Sequence, residues 1–532
     1  MVKIITILLL LICLNTQATN RYVAKTGSNS NSGTYSSPYL TIAKALSVAL
    51  AGDTVFVKEG TYNESVSFPS SGTEGNPIVL KNYGSDNVVI DAQATRNYCI
   101  YAIKKNYLSI SGINCQNAVQ ENIHLETCNH IEIMNMTSTL PVYSTYAMGS
   151  GKGIYIGGVT DWGSDIILKN VQSIGGLYPL LIGAKMNGIS VIGGRYSHGS
   201  IDGINVQQSG MTIRDTATIS RNIIVDGVET DHNLRQGINT WGVRKATFKN
   251  FHSHDNAASG VQIENFSYNI VIEDFISESN CLGTEWTFET GIWIDDTDGA
   301  IVRRGIMRNN QTGFRVSGSR NVLAYNLLIY SNQDGASGGM INSSGVNFYS
   351  NPSSDANPSM YVCDVKLFNS VIDANSSSTS QRGAIVLQGE GNYTIKNCII
   401  SNEQASYDIF RIGTNTFTSD YNLFYNTRAL RIYNLNTSIT FSAYKSATGQ
   451  DGHSLSVDPK INTEYKPDGN SPVINMGANV GLTTDFSGNK IVGLPDIGAF
   501  EYIETIPVEH TNLPIYHQGE MIMVDGKILT DN

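Results

Sequence analysis

Long amphipathic helical patterns are almost absent from this sequence of 532 residues, and an excess of basic charge is absent too. The first absence argues against a helical protein. The net charge of −11 and the pI near 5.3 argue against a nucleic-acid partner, which would require a basic face. Beyond the first twenty residues, no segment is apolar and long enough to span a bilayer. We therefore expect a protein without a membrane span that binds no nucleic acid.

Cysteine pairs at redox or metal-binding spacing are also missing. Six cysteines follow the N-terminal leader, and each stands alone in an apolar, strand-like context: Cys99, Cys115, Cys128, Cys281, Cys363 and Cys398. There is no CxxC pair and no histidine partner at metal spacing. This pattern favours buried thiols, although an exported protein can also form disulfides.

The N-terminus has the composition of an export signal. Lys3 precedes an apolar run from Ile4 to Leu14, and small residues follow near Ala18. The run is too short for a membrane span, so residues 1–18 are predicted to be a signal peptide. Ile12 before Cys13 fits a lipoprotein signal poorly, so a lipid anchor is not expected. The mature protein is predicted to be periplasmic or secreted, and a monomer.

A repeated strand pattern dominates the rest of the chain. A glycine followed by an alternating strand recurs with variable insertions, beginning at Gly153, Gly203, Gly237, Gly260, Gly291, Gly313 and Gly345. Second strands lie between these segments, and 51 glycines suit many tight turns. A leucine-rich repeat would need a leucine ladder, and a β-propeller would need longer antiparallel blades. The pattern therefore predicts an all-β fold, a right-handed parallel β-helix.

Both ends of the solenoid carry recognisable segments. Residues 22–66 contain one amphipathic helix around 41–50 and then the strand "DTVFVKEGTY", which is typical of a cap over the open apolar end. Near the other end are "HSLSVDPKI", "SPVINMGAN" and "DFSGNKIVGLPDIGAFEY". The two segments resemble the cap and the closing segment (about 450–502) of secreted bacterial β-helix proteins of the pectate-lyase-like superfamily. We predict a β-helix domain over 19–502 and a tail, 503–532, without clear pattern.

Stacked coils place residues at the same offset from the repeat glycine in columns on the outer surface. Two places after the glycine, the predicted column is Tyr155, Asn205, Asn239, Gln262, Trp293, Arg315 and Asn347; four places after, it is Gly157, Gln207, Trp241, Glu264, Asp295, Ser317 and Tyr349. Aromatic faces stack on sugar rings, while amides and charges bind hydroxyl and acid groups. These columns predict a polar groove for an acidic sugar chain. Turn asparagines such as Asn233 and Asn256 favour structural stacking instead.

Two histidines, His198 and His232, occupy the same offset in adjacent coils, and His254 lies one step off. Histidine exchanges a proton near neutral pH, so this pair is a candidate acid/base. Asp202 and Arg235 lie close by on the approach turn. Glu264 and Asp295 are predicted outward neighbours and offer a second acid/base pair. Ordinary solvated side chains remain the alternative for each pair.

Cations and carboxylates flank the groove. Arg244 and Lys245 are predicted at a bend near its edge, and Arg315 within the column is the better anion-binding candidate. The stretch "ETGIWIDDTDGAIVRR" holds Glu289, Asp295, Asp296 and Asp298. Such a patch suits an optional Ca²⁺ ion, although its spacing is not that of an EF-hand loop. No cofactor is required by the sequence.

The resemblance implies an exported carbohydrate-active enzyme, because pectate-lyase-like proteins include many uronate lyases. In a β-elimination, Arg235 or Arg315 would bind the uronate carboxylate, and His232 would remove the C5 proton. His198 or Tyr155 would protonate the group leaving C4, giving a polysaccharide lyase or an oligosaccharide dehydratase. Two alternatives stay open: a glycoside hydrolase that uses Glu264 and Asp295, and a non-catalytic glycan-binding surface protein.

Overall fold

The computed structural model describes residues 18–145, 151–208, 218–281, 290–333, 344–350, 362–375, 383–403, 407–426, 431–432 and 440–504, with four two-residue strands between 516 and 528. The predicted signal peptide lies outside the described residues, except for Ala18. Within the described ranges the two helices are Ile42–Ser47 and Phe441–Thr448, and neither has the length or apolar character needed to cross a bilayer.

One face of the solenoid is a parallel sheet with 14 strands in the described part of the chain. Each coil contributes one short strand, and consecutive strands are neighbours in space. The strands are Val66–Ser67, Tyr98–Ile103, Glu121–Glu126, Lys152–Gly157, Tyr178–Ile182, Ile204–Gln207, Ile238–Trp241, Val261–Glu264, Thr290–Asp295, Thr312–Ser317, Ser344–Tyr349, Gly383–Gln388, Tyr407–Ile412 and Arg431–Ile432. We call this sheet the site sheet.

The return path of each coil forms a second parallel sheet, with 23 strands among the described residues. Some coils cross it as one long strand and others as two short ones. The strands are Asn20–Val23, Thr54–Val57, Gly60–Tyr62, Ile78–Asn82, Val88–Asp91, Asn106–Ser111, Ile113–Gln116, Asn129–Thr139, Gly163–Ile174, Met186–Ser197, Arg221–Asp226, Glu229–Asp231, Arg244–Lys249, His252–His254, Tyr268–Glu278, Asp298–Arg308, Arg320–Tyr330, Cys363–Phe368, Val371–Asp373, Gly391–Lys396, Ile399–Ser401, Thr416–Asp420 and Leu423–Tyr425. We call it the return sheet.

The core lies between the two sheets and follows from strand alternation. Ile238 and Val261 of the site sheet are fully buried, as are Ile272 and Val302 of the return sheet. Branched side chains fit this pleated interior, and their burial is the main force that holds successive coils together. The prediction of a right-handed parallel β-helix is confirmed.

The N-terminal helix closes one end of this core. Thr41 caps it by accepting a hydrogen bond from the Lys44 amide, and Ile42, Ala45 and Leu46 are buried. The helix is shorter than the predicted span 41–50, because Val48 already has non-helical backbone angles. The predicted capping role is therefore confirmed over fewer residues.

A ladder of buried asparagines stabilises the turns that lead from the return sheet back to the site sheet. Asn233 donates to Asn256 at 2.8 Å, and Asn256 donates to Asn280 at 2.9 Å. The same pattern continues through Asn310, Asn332 and Asn375. Each amide both donates and accepts, which satisfies polar groups in a dry turn. The structural interpretation of Asn233 and Asn256 is confirmed.

The cysteines are free thiols: Cys281 is half-buried, and the other five described cysteines, Cys99, Cys115, Cys128, Cys363 and Cys398, are buried. The expectation of buried thiols is thus met by five of the six. At the C-terminal end, residues 450–504 run as turns and isolated bridges against the return sheet, where Val473, Ile497 and Phe500 pack with Leu328 and Val371. The tail beyond residue 504 is described only as two small antiparallel pairs, Tyr516–His517 with Glu520–Met521 and Met523–Val524 with Lys527–Ile528.

Candidate functional site

The first predicted column is continuous over six coils of the site sheet. The strand register pairs Asn205 with Asn239, Asn239 with Gln262, Gln262 with Trp293, Trp293 with Arg315, and Arg315 with Asn347. Tyr155 is separated from Asn205 by Leu181, in a coil whose strand "YPLLI" lacks the leading glycine. The predicted column therefore missed one coil.

The second column runs beside the first on the same face. Gln207 pairs with Trp241 and Trp241 with Glu264, while Asp295 pairs with Ser317 and Ser317 with Tyr349. The strands that hold Glu264 and Asp295 are neighbours, because Gln262 pairs with Trp293. The two columns between Asn205 and Tyr349 line one strip of surface, which we call the polar groove.

Asp202 is the buried anchor of the groove. It lies on the turn before Gly203, and its side chain is fully buried. Its carboxylate accepts hydrogen bonds from Asn205 Nδ2 at 2.7 Å and Asn239 Nδ2 at 3.3 Å. Burial raises the pKa of Asp202, while Arg235, at 3.9 Å, opposes that rise. Asn205 and Asn239 are themselves buried, so they hold Asp202 rather than present open amides.

Glu264 lies beside this anchor. Gln262 Nε2 donates to Glu264 Oε2 at 3.1 Å, and Gln236 donates to Gln262 at 2.5 Å. Arg235 lies 3.9 Å from Glu264 Oε1. Burial is the main cause that raises the pKa of Glu264 to about 8, and the neighbouring Asp295 and Asp202 add to the rise. Burial therefore favours the protonated form of Glu264 near neutral pH.

Asp295 is the next carboxyl along the column. Ser317 donates to Asp295 Oδ1, and Trp293 Nε1 donates to Ser317 Oγ at 2.7 Å, so the two neighbours orient the carboxylate. Burial and the adjacent Asp296 raise the pKa of Asp295 to about 7, against the effects of Ser317 and Arg315. Two neighbouring carboxyls with raised pKa values thus face the groove, which is a frequent property of catalytic acids and bases.

Two arginine–tryptophan pairs complete the groove. The guanidinium of Arg315 lies 4.5 Å from the ring centre of Trp293 and 6.0 Å from that of Tyr349. The guanidinium of Arg235 lies 5.9 Å from the ring centre of Trp241. Each pair joins a flat apolar face to a fixed positive charge, a combination suited to a sugar ring that carries an acid group.

The two predicted histidines lie together but belong to another cluster. His198 and His232 both have left-handed backbone angles, with φ of 59° and 53°, and their rings stack at 5.2 Å. His232 Nδ1 lies 2.6 Å from Asp231, which also binds Arg195 at 2.7 Å. Among the described residues, no hydrogen bond or ion pair joins either histidine to Glu264 or Asp295.

The chemistry of this cluster is that of an ion-pair network. Burial alone would raise the pKa of Asp231, but the hydrogen bonds from Arg195 and His232 outweigh it and lower the pKa. His254 belongs here too, because its ring nitrogens lie 2.7 Å from Asp255 and 3.3 Å from Glu229. The ligand atoms of Glu229, Asp231 and His254 lie within 4.8 Å of one another. In this cluster the guanidinium of Arg195 is already the cationic partner of Asp231.

The remaining predicted residues lie outside the groove. Tyr155 stands on the site sheet N-terminal to it, two coils from Asn205. Arg244 and Lys245 begin a strand of the return sheet, where the Arg244 guanidinium lies 5.2 Å from the ring centre of Tyr268. Strand Ile238–Trp241 has already ended, so the turn at Gly242 carries both cations to the next face.

The predicted calcium patch is not assembled by its described members. Asp295 faces the groove, whereas Asp298 begins a strand of the return sheet and binds Arg320 at 2.7 Å. Glu289 lies outside the described residues. The turn after Asp295 places Asp295 and Asp298 on different sheets, and the optional Ca²⁺ ion stays a prediction.

Comparisons with known proteins give sequence matches over part of the chain. Residues 21–190 match the sequence profile of the Pel9A-like right-handed β-helix region. A pectate lyase of Emericella nidulans, PEL9, is 35% identical over 78 residues, which are 14% of this chain and 19% of that protein. The observed coils agree with both matches. Over this part of the chain the protein resembles the pectate-lyase-like parallel β-helix proteins.

The other relatives of this pectate-lyase-like protein say less about its chemistry. An uncharacterized Bacillus subtilis protein, YwoF, is 40% identical over 100 residues, 18% of this chain and 21% of that one. The chain thus spans about a fifth of the length of the curated relatives it matches. A solved complex of XylC with xylose has a TM-score of 0.45 at 13% identity, over 91% of this chain and 98% of that chain.

The family match ends before the groove of this pectate-lyase-like protein begins, because residue 190 precedes Asp202. The roles of the groove residues must therefore come from their own geometry. The sequence analysis assigned no role to Gln236 or Arg195, and it placed Asp202 only near the two histidines. The signal for two of them was the position just before the repeat glycine, where Asp202, Gln236 and Thr290 are all polar.

Proposed function

We propose that this protein is a carbohydrate-active enzyme that hydrolyses a glycosidic bond in a uronate-containing polysaccharide or oligosaccharide. The observation that carries the proposal is the pair of neighbouring groove carboxyls with pKa values of about 8 for Glu264 and about 7 for Asp295. Enzymes that cleave glycosides need one protonated and one ionised carboxyl at the same pH. Burial and the neighbouring charges raise the pKa of both carboxyls, and we assign Glu264 as the member that keeps its proton and Asp295 as the ionised one.

The roles follow from the protonation states. Glu264 donates its proton to the glycosidic oxygen that leaves. Asp295 acts on the opposite side of the bond, either as a nucleophile at the anomeric carbon or as the base that activates water. Neighbouring strands lie about 4.8 Å apart. That spacing separates the backbones and not the carboxyl oxygens, so it accommodates both the nucleophile role and the base role of Asp295.

The rest of the groove matches a sugar substrate with an acid group. Trp241 and Trp293 supply faces on which pyranose rings stack. Arg235 and Arg315 supply the cations for a uronate carboxylate or a sulfate. The similarity to a pectate lyase supports a polysaccharide substrate. Gln262 donates to Glu264, while Asn205 and Asn239 donate to Asp202.

β-Elimination is the second candidate, and Arg315 favours it. A guanidinium bound to the uronate carboxylate makes the C5 proton more acidic, and ionised Asp295 is the closest base to Arg315 in the column. Glu264 would then protonate the group leaving C4. In this version the carboxyls replace His232 and His198 as base and acid, because His232 is held by Asp231 on another cluster.

The test is incubation with a panel of neutral, uronate-containing and sulfated oligosaccharides. Reducing ends and product masses report hydrolysis, and near-ultraviolet absorbance of an unsaturated ring reports elimination. Glu264→Gln and Asp295→Asn should each lower kcat by about 100- to 10,000-fold. Glu132→Gln is the matched control, since Glu132 is a half-buried glutamate on strand Asn129–Thr139 of the return sheet. Full turnover by Glu264→Gln would overturn the proposal.

The predicted leader at residues 1–18 supports a location outside the cytoplasm, in the periplasm or the medium. The N-terminal sequence of the protein recovered from each fraction tests this location. A mature chain that begins at Thr19 in the exported fraction is the expected result. The monomeric state also stays a prediction, which light scattering would test.

A further inference from the structure

A group of aromatic side chains stands on the site sheet, N-terminal to the polar groove. Tyr101, His124 and Tyr155 share the register of the first groove column. The ring centres of Tyr98 and Tyr101 lie 5.5 Å apart, those of Tyr98 and His124 lie 4.8 Å apart, and those of His124 and Tyr155 lie 5.1 Å apart. We call these four residues the aromatic platform.

The Tyr155 ring lies along the sheet surface because two glycines leave room for it. A Cβ atom at Gly157, two residues further on the same strand, would stand 2.3 Å from the Tyr155 hydroxyl. A Cβ atom at Gly183, on the neighbouring coil, would stand 3.2 Å from the same oxygen. A side chain at either position would lift the ring. The half-buried ring stacks with His124, and its exposed part adds an apolar aromatic surface of the kind on which sugars pack.

The charges around the platform differ from those in the groove. Lys152 binds Glu121 at 2.7 Å, and its ammonium lies 5.6 Å from the Tyr155 ring centre. His124 lies between two carboxylates, 3.6 Å from Glu121 and 3.5 Å from Glu126. The platform thus has two carboxylates against one ammonium group. Lys152 is paired with Glu121, whereas the hydroxyls of a neutral sugar find acceptors in Glu121 and Glu126.

The platform is aligned with the candidate catalytic carboxyls. Register steps lead from Tyr155 through Leu181, Asn205 and Asn239 to Gln262, which lies beside Glu264. Four steps at about 4.8 Å each amount to roughly 19 Å. That distance exceeds the reach of a disaccharide bound at Glu264, but a longer chain lying along the strip covers it.

We propose that the aromatic platform is a distal subsite that binds a neutral pyranose unit of the same chain whose glycosidic bond is cleaved in the groove. This inference rests on the proposed function. It makes the substrate a heteroglycan several units long, with a uronate or sulfated unit near Arg315 and a neutral unit on Tyr155. Affinity should therefore depend on chain length, and the dependence should require the Tyr155 ring.

The test uses the full-length protein with Glu264→Gln, so that bound sugars are not cleaved. Dissociation constants are measured by calorimetry for xylohexaose, hexagalacturonate, a glucuronate-bearing xylohexaose, and the disaccharide of each. Tyr155→Ala should weaken binding of the glucuronate-bearing hexasaccharide about tenfold and leave its disaccharide unchanged. Tyr155→Phe keeps the ring and should retain the affinity. Gly157→Ala keeps the tyrosine but lifts it, and should weaken binding like Tyr155→Ala.

The outcomes separate this inference from the proposed function. Equal affinities of the parent and Tyr155→Ala for all three hexasaccharides would overturn the distal subsite, and so would equal losses for hexasaccharides and disaccharides. A Tyr155-dependent preference for hexagalacturonate would overturn the neutral character of the subsite. Failure of the proposed function appears elsewhere, as turnover that survives Glu264→Gln. Near-ultraviolet circular dichroism of each variant confirms that the coils are intact.

Discussion

Removal of the Arg235 charge should move the alkaline limb of the pH–rate profile to higher pH. Arg235 lies 3.9 Å from Glu264 and opposes the burial that raises the pKa of this carboxyl to about 8. A positive neighbour favours the ionised form, so Arg235→Gln raises the pKa further. If Glu264 is the general acid, the active protonated form then persists to higher pH.

The size of the shift follows from the distance. Two unit charges 3.9 Å apart interact by about 4 kcal/mol at an effective dielectric constant of about 20. One pKa unit corresponds to about 1.4 kcal/mol. Arg235 also lies 3.9 Å from Asp202, and water will enter the space left by the guanidinium, so only part of this energy is realised. We expect the alkaline limb to rise by about one pH unit or more.

The assay is kcat/KM as a function of pH for the parent protein and for Arg235→Gln, on the oligosaccharide found by the panel. The shape of the profile decides the question, because the lost arginine also lowers activity at every pH. Arg195→Gln is the control, since Arg195 pairs with Asp231 next to His232 and not with the groove. An alkaline limb that moves with Arg195→Gln but not with Arg235→Gln would refute the assignment and favour the histidines.

Three further substitutions test other parts of the structure. Burial raises the pKa of Glu403, so the folded state keeps a proton that the unfolded state loses above about pH 4.5. The free energy of unfolding should therefore fall by about 1.4 kcal/mol per pH unit above that pH, and Glu403→Gln should remove this fall. An unchanged slope of unfolding free energy against pH, measured by urea titration, would contradict this prediction. Asn256→Ala breaks the asparagine ladder and should lower the free energy of unfolding by about 2–4 kcal/mol in the same titration. The control Asn392→Ala, at an exposed asparagine, should lower it by roughly 0.5 kcal/mol or less. Equal losses would contradict the role of the ladder. Trp293→Ala removes a stacking face and should raise KM about tenfold, and an unchanged KM would exclude its contact with substrate.

Most of the fold follows from the spacing of glycines and alternating strands. Strand alternation and in-register stacking are local rules, so the columns from Asn205 to Asn347 could be derived by counting from each glycine. The rule failed at Leu181, because that strand begins with Tyr178 and Pro179 in place of glycine. The backbone of this strand pairs like the others, so the coil is present in the fold and only the leading glycine used for counting is missing.

The site was only partly predictable, because its remaining parts depend on turns. Glu264 and Asp295 stand on strands, and their positions follow from the register. Asp202 enters the groove through a turn whose path the sequence does not fix. His232 lies one residue beyond strand Glu229–Asp231 with a positive φ, and that angle directs its side chain to Asp231. The pKa values depend on burial by several coils at once, which counting along one strand cannot reveal.

Cleavage in heavy-oxygen water tests the central claim most directly. If Glu264 and Asp295 hydrolyse the bond, mass spectrometry will find one heavy oxygen atom at each new reducing end, and Glu264→Gln will abolish its incorporation. Products with an unsaturated ring and no heavy oxygen would contradict hydrolysis and establish β-elimination. Labelled products from Glu264→Gln at the parent rate would contradict the role of the carboxyl pair altogether.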